Sequence, residues 1–185
     1  MQPERLLTTK SIFDGKIVRV RTDTVSLPNG RRAMREVVEH DASVVVVPID
    51  SEDNVLLVRQ YRYPVGQALL EAPAGMVEDS EAPDHCAQRE LQEEIGYLSR
   101  DLRALGGFWM SPGFCTEFMY AYEARDLVAS KLEADFDENI QIERVPFSGI
   151  LDLIRTSEIQ DAKSISALLM VTCLFRSHGA PRQDC

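Results

Sequence analysis

The amino-terminal part of the chain alternates apolar and polar positions with a period of two, as half-buried strands do. "GKIVRVRTDTVSL" and "RRAMREVVEH" carry this alternation and flank Asn29-Gly30. That pair predicts a hairpin, because both residues accept the positive φ of a tight turn. The next run, "ASVVVVPI", loses the polar alternation and predicts a strand covered on both faces. "DSEDN" predicts a turn, and "VLLVRQYRY" the antiparallel partner of that buried strand. Farther on, "LRALGGFWM" and "TEFMYAYEARDL" predict strands around a Pro-Gly turn, and an acidic loop runs into the short strand "IQIERVPF". From Ser148 the period becomes helical, with Ile165, Leu168, Leu169, Thr172 and Cys173 recurring along one side of the last helix. This order of elements predicts an α/β fold, a mixed sheet with helices on both faces. The expected organisation is a small antiparallel β segment over residues 1–41, a main domain over 42–178 and a frayed tail over 179–185.

Composition narrows the classes. A net charge of −10 argues against a binder of nucleic acid or an anionic membrane, since both need a basic face. No apolar run approaches the roughly 18 residues of a membrane span, and "MQPERLLTTK" lacks the apolar core of a signal peptide. The four cysteines, Cys86, Cys115, Cys173 and Cys185, form no CxxC pair and suggest neither a disulfide framework nor a zinc site. A soluble chain in a reducing cytoplasm is the expectation.

The chemistry concentrates in "GMVEDSEAPDHCAQRELQEEIGY", Gly75 to Tyr97, which holds seven carboxylates and one formal positive charge, Arg89. Pro83 suits a first helical turn, with Ser80 or Glu81 ahead of it as a cap, and Gly96 suits a helix stop. Ala87, Leu91 and Ile95 fall at i, i+4, i+8 and predict a buried stripe; Glu90, Glu93 and Glu94 fall at i, i+3, i+4 and share another face. Like charges so placed repel by a few tenths of a kcal/mol per pair. The plain alternative is a solvated acidic face, but such faces ordinarily mix in lysines, and this segment has none. Clustered carboxylates suit a hard divalent cation, which would reverse the local field and attract a diphosphate.

Gly75, Glu81 and Arg89-Glu90-Leu91-Gln92-Glu93-Glu94-Ile95-Gly96 resemble the Nudix box, GX5EX7REUXEEXGU, at every fixed position; Tyr97 stands where an aliphatic residue is more usual. "RQYRYP", "EAPAG", "SPGF", with Pro112 sixteen residues after Gly96, and the late "DAKSISAL" are similar to the ADP-ribose pyrophosphatase branch, so the resemblance spans nearly the whole chain. Ala72 is a mild departure, since leucine is commoner there.

The resemblance implies an α/β/α Nudix sandwich that hydrolyses a nucleoside diphosphate sugar with Mg²⁺, or Mn²⁺ as substitute. ADP-ribose, split to AMP and ribose 5-phosphate, is the first expectation; a UDP- or GDP-linked sugar, or a non-catalytic ligand-binding module, are the alternatives. It implies Glu90, Glu93, Glu94 and the Ala74 carbonyl as metal ligands, with Arg89 orienting the glutamates. Arg59, Arg62 and Arg35 are implied at the substrate, along with Glu71, Pro112 and Glu117; a surface ion pair is the plain alternative for each charged residue. The general base, itself also close to the metal, is expected in "EADFDENI", with Glu138 the best match and Asp135 and Asp137 unranked, because Phe136 replaces a common acid. His85 is expected at the surface, and Cys86 and Cys115 as inert. Trp109 is expected in the core. The small amino-terminal segment implies a homodimer.

Overall fold

The computed structural model describes residues 2–133 and 139–175. It divides into two compact units, Met1–Ala42 with Trp109–Phe118, and Ser43–Phe108 with Met119–Cys185.

The first unit is a three-stranded antiparallel sheet in the order β1 (Arg5–Asp14), β2 (Arg19–Ser26), β3 (Arg32–Glu39). The β2–β3 hairpin turns at Gly30, whose φ is +81°, and pairs from Arg19 with Glu39 to Ser26 with Arg32 without a slip. Strand β1 escapes the alternation argument for a physical reason: it is exposed along its whole length and has no inner face. The 109–118 segment adds to β3, with the Val38 N–H donating to the Phe114 carbonyl (2.7 Å) and the Thr116 N–H to the Val38 carbonyl (3.0 Å). Trp109, expected in the core, is 55% exposed; its ring meets Phe118 edge-on at 5.0 Å.

In the second unit, β4 (Ser43–Pro48), β5 (Asn54–Arg62), β6 (Gln67–Glu71), β7 (Ala74–Met76), β8 (Tyr97–Trp109), β9 (Phe118–Ala129) and β10 (Ile140–Pro146) build two sheets, ordered β7-β4-β9-β8 and β10-β5-β6. The first is mixed, β4 being parallel to β9 and antiparallel to β7. Every residue of β4 is buried, as its unbroken apolar run requires. Strand β5 is not its partner, contrary to the hairpin expectation. Both hydrogen-bonding edges of β4 are taken by β7 and β9. After a single bridge from Ile49 to Val55, the chain therefore crosses to the second sheet and pairs with β6 and β10.

Helix α1 (Pro83–Glu90) runs on through a wider π-helical stretch, Leu91–Ile95, and stops at Gly96, whose φ is +75°. Its N-cap is Ala82, without a side-chain cap; Glu81 is occupied elsewhere, accepting from the Glu78 N–H and from Arg89. Ala87, Leu91 and Ile95 pack into the core with Val44, Val46, Leu56 and Val58, so one face of the helix is fixed against the strands. Helices α2 (Ile150–Arg155) and α3 (Ala162–Leu169) follow β10. Asp161 caps α3, its carboxylate accepting from the Ser164 N–H (3.1 Å). Cys86 and Cys115 are free thiols, whereas Cys173 is disulfide-bonded. Among the described residues no helix is long and apolar enough to cross a membrane.

Candidate active site

Strand β7 and the helix that follows it bring the acidic residues onto one short piece of backbone. Ala74 and Gly75 pair with Val45 and Val44 of β4 and are thereby held rigid. The Glu90 carboxylate lies directly against Gly75, where an added Cβ would overlap it; only glycine permits this approach. The Glu94 carboxylate accepts from the Ala74 N–H (3.3 Å). Both side chains are buried, at 7% and 6% exposure. Helical spacing thus delivers two carboxylates to the Ala74–Gly75 backbone from adjacent turns.

Arg89 gathers the remaining charge. Its Nη1 donates to Glu90 Oε1 (2.7 Å) and Glu93 Oε2 (2.9 Å), its Nε to Glu81 Oε1 (3.0 Å) and its Nη2 to the Met76 carbonyl (3.0 Å). The bond to Glu81 is the main cause that raises its pKa further, and the same bond holds the Glu81 carboxyl below its ordinary value. Burial raises the neighbouring Cys86 thiol, with Glu90 adding to the shift, so this cysteine has no thiolate to offer. His85 is exposed, as expected.

Beside this cluster lies a second ionic group. Arg62 forks onto Glu71 through Nε (2.9 Å) and Nη2 (2.8 Å), and feels the charge of Glu94. Glu71, only 2% exposed, also pairs with Lys163, which in turn donates to Asp161 (2.6 Å). The Ser164 hydroxyl donates to Asp161 (2.6 Å) and accepts from the Ala72 N–H (2.7 Å). Burial by itself raises the Glu71 and Asp161 carboxyls, but their cationic partners outweigh it and both lie below their ordinary values. Sequence reasoning missed Lys163 and Ser164 as site residues. Asp161 with Ser164 three residues on was readable as a helix start, but nothing local shows that Lys163 meets a glutamate 92 positions away.

The structure brings Ala74, Glu90, Glu93, Glu94, Arg89, Arg62 and Glu71 into one region of the second unit. Arg59 is not with them: alternation puts it on the other face of β5 from Arg62, where it binds Glu143 (2.5 Å) and Glu158 (2.7 Å). Arg35, Pro112 and Glu117 belong to the first unit. There Arg35 pairs with Glu4 (2.6 Å), and Glu117 lies 3.9 Å from His40. Asp135, Asp137 and Glu138 fall outside the described residues.

Among the described residues, no three His, Cys, Asp or Glu side chains converge as a closed metal cage. What is present is an open set of hard oxygens: two buried carboxylates against the Ala74–Gly75 backbone, and Glu93 beside them through Arg89. That chemistry fits a cation such as Mg²⁺, which keeps part of its shell for water and phosphate.

Two family models cover the chain, a NUDIX domain over residues 39–168 and a nucleoside diphosphate sugar hydrolase N-terminal domain over 4–38. An ADP-ribose pyrophosphatase of Bacillus subtilis is 35% identical over 89% of this chain and 90% of its own length. A methanol dehydrogenase activator of Bacillus methanolicus matches with the same identity and coverage. The crystal structure of an ADP compounds hydrolase superposes with a TM-score of 0.85 at 27% identity, covering 92% of this chain and 93% of that one. Nudix hydrolases generally use divalent metal ions. The Nudix box on α1, the sheets that carry it and the two family models together place this chain in the Nudix hydrolase family.

Proposed function

We propose that the protein hydrolyses the pyrophosphate bond of ADP-ribose, giving AMP and ribose 5-phosphate, with Mg²⁺ as its metal. The observation that carries the reading is the placement of Glu90 and Glu94 against the Ala74–Gly75 backbone. With Glu93 and the Ala74 carbonyl, these would hold the cation. When bound, it supplies the positive charge a diphosphate needs in this acidic region and makes water a better nucleophile.

The chain's own residues do the rest. Arg89 links Glu81, Glu90 and Glu93, which holds the carboxylates in one orientation and keeps Arg89 from the substrate. Arg62 offers the guanidinium that a diphosphate oxygen would meet, and Glu71 fixes its direction. Glu138 is our choice for the carboxylate that takes the proton of the attacking water. The similarity to an ADP-ribose pyrophosphatase over nine-tenths of both chains supports the substrate.

We further propose a cytoplasmic homodimer built through the first unit. Its edge strand β1 leaves Leu6, Leu7, Ile12 and Phe13 exposed, and Met34 and Ile17 add to that apolar surface. An uncovered edge of this kind invites pairing with a second copy. Light scattering at micromolar concentration should give twice the chain mass; a monomer overturns the dimer.

The substrate is tested by turnover of ADP-ribose, UDP-glucose and a GDP-linked sugar side by side with Mg²⁺. ADP-ribose should be cleaved fastest. Negligible ADP-ribose cleavage beside active turnover of another sugar would overturn the substrate, and inertness toward all of them would overturn the enzyme reading.

A further inference from the structure

The first turn of α3 is tied to the strand segment that leads into the candidate metal site. Lys163 and Ser164 are consecutive, and they hold consecutive residues 92 positions away, Glu71 and Ala72. The Lys163 ammonium pairs with the Glu71 carboxylate, and the Ser164 hydroxyl accepts from the Ala72 N–H (2.7 Å). Helix capping does not call for that second contact. Asp161 already accepts from the Ser164 N–H, which is the bond a helix start needs. The hydroxyl gives its own proton to the same carboxylate (2.6 Å) and so turns a lone pair toward Ala72. Ser164 is 0% and Ala72 1% exposed, so the bond is shielded from solvent.

The pairing of β7 with β4 fixes which way the backbone of this segment points. The Val46 N–H donates to the Pro73 carbonyl (2.9 Å), and the register runs on from there to Val44 with Gly75. Pro73 and Gly75 thus turn their polar groups toward β4. In an antiparallel ladder the residues between such pairs turn theirs the opposite way. Ala72 and Ala74 therefore direct both N–H and C=O outward, along the outer edge of the sheet, since β7 is its terminal strand. Two helices meet that edge. Ser164 of α3 holds the Ala72 N–H, and Glu94 of the box helix holds the Ala74 N–H (3.3 Å). The Ala74 carbonyl, the candidate metal ligand, lies on the same edge. Strand β7 has only three residues and Pro73 brings no donor to the ladder, so the bond at Ala72 supplies a tie that β4 does not.

We propose that Ser164 is a positioning residue for the divalent cation: its hydroxyl, acting through the Ala72 N–H, sets the outward row of backbone so that the Ala74 carbonyl and the Glu94 carboxylate meet the same ion. The inference rests on the metal site of the proposed function above. Without the acceptor at Ser164 the buried Ala72 N–H must seek another partner, and the segment shifts to find it. Magnesium tolerates little displacement of a ligand oxygen, because it demands distances of about 2.0–2.1 Å in near-ideal octahedral geometry. The carboxylates stay in place on the box helix, so the site is weakened and not abolished.

The test compares wild type with Ser164→Ala and with Ser99→Ala. The second variant removes another buried hydroxyl, which donates to the Arg125 carbonyl (2.8 Å) from β8, at the opposite edge of the same sheet. Mn²⁺ binding to each chain without substrate is followed by the paramagnetic resonance of the free ion, and urea titration reads folding. Ser164→Ala should bind Mn²⁺ about tenfold more weakly than wild type, the size of loss seen when a residue supporting a metal ligand is removed. Ser99→Ala should bind it as wild type does. With ADP-ribose, the Mg²⁺ concentration for half-maximal rate should rise in Ser164→Ala alone. Unaltered Mn²⁺ affinity in Ser164→Ala overturns the inference, as does an equal loss in Ser99→Ala, which would trace the effect to stability. A Ser164→Ala chain that does not fold also overturns it, because the hydroxyl would then serve the fold. A wild-type chain that takes up no Mn²⁺ refutes the metal site of the proposed function itself and is thereby told apart from these results.

Discussion

Two acidic groups lie close together in the second unit and are neutralised in opposite ways. Around Glu71, two carboxylates meet two cations: Glu71 and Asp161 face Arg62 and Lys163, and the Ser164 hydroxyl closes the set. On the box helix, one guanidinium serves three carboxylates, Glu81, Glu90 and Glu93, and Glu94 leans on a backbone N–H. The balanced group is built into the fold, where burial makes an unpaired charge intolerable. The unbalanced group has one guanidinium among three carboxylates, a ratio that favours an added cation. Charge balance, more than the density of acids, distinguishes the group tied into the fold from the one proposed to hold the metal.

The largest expected effect breaks the balanced group. Lys163→Met leaves Glu71 and Asp161 short of one cation in a buried place and should cost about 3 kcal/mol of stability. A urea titration reads this as a lower midpoint at unchanged slope, and an unchanged midpoint would show that the pair is not coupled to folding. Next comes the unbalanced group. Glu94→Gln should keep the wild-type unfolding midpoint while turnover of ADP-ribose falls about a hundredfold. Near-normal turnover would remove Glu94 from the metal ligands. The outlying candidates are sharpened by Glu138→Gln against Asp137→Asn: the general base is whichever variant loses turnover while substrate binding holds.

A pH series gives a smaller contrast. The Glu71 and Asp161 carboxyls lie below their ordinary values, so the stability they contribute is present above the ordinary carboxylate range and lost as pH falls through their depressed folded values. Lys163→Met removes part of that depression, so its urea midpoint should vary less than that of wild type between about pH 3 and 7. Equal slopes would mean that other carboxylates govern acid unfolding. The smallest effect is a control. Arg155 and Asp152 pair with both side chains 72% exposed, so Arg155→Ala should change stability by less than about 0.5 kcal/mol.

Local chain geometry made part of this molecule readable in advance. Glu90 and Glu94 share a helical face, Ala87, Leu91 and Ile95 line the adjacent one, and Gly96 ends the helix, because a helix period depends only on neighbours along the chain. The Asn29-Gly30 turn and the burial of β4 followed from the same kind of reasoning. The uncapped start at Ala82 did not, since Glu81 had a better partner eight residues on in Arg89.

The amino-acid order by itself therefore determined the box helix, its acidic face and the family to which the chain belongs, all properties carried within a few turns of backbone. Only the tertiary structure decided that β5 would leave β4 for another sheet, since that choice depended on β7 and β9 having taken both edges. It also decided that Arg62 would meet the site while Arg59 turned away to Glu143, and that Lys163 would be buried against Glu71. Contacts between residues far apart in the chain are set by which surfaces pack together, and no short pattern of side chains encodes them.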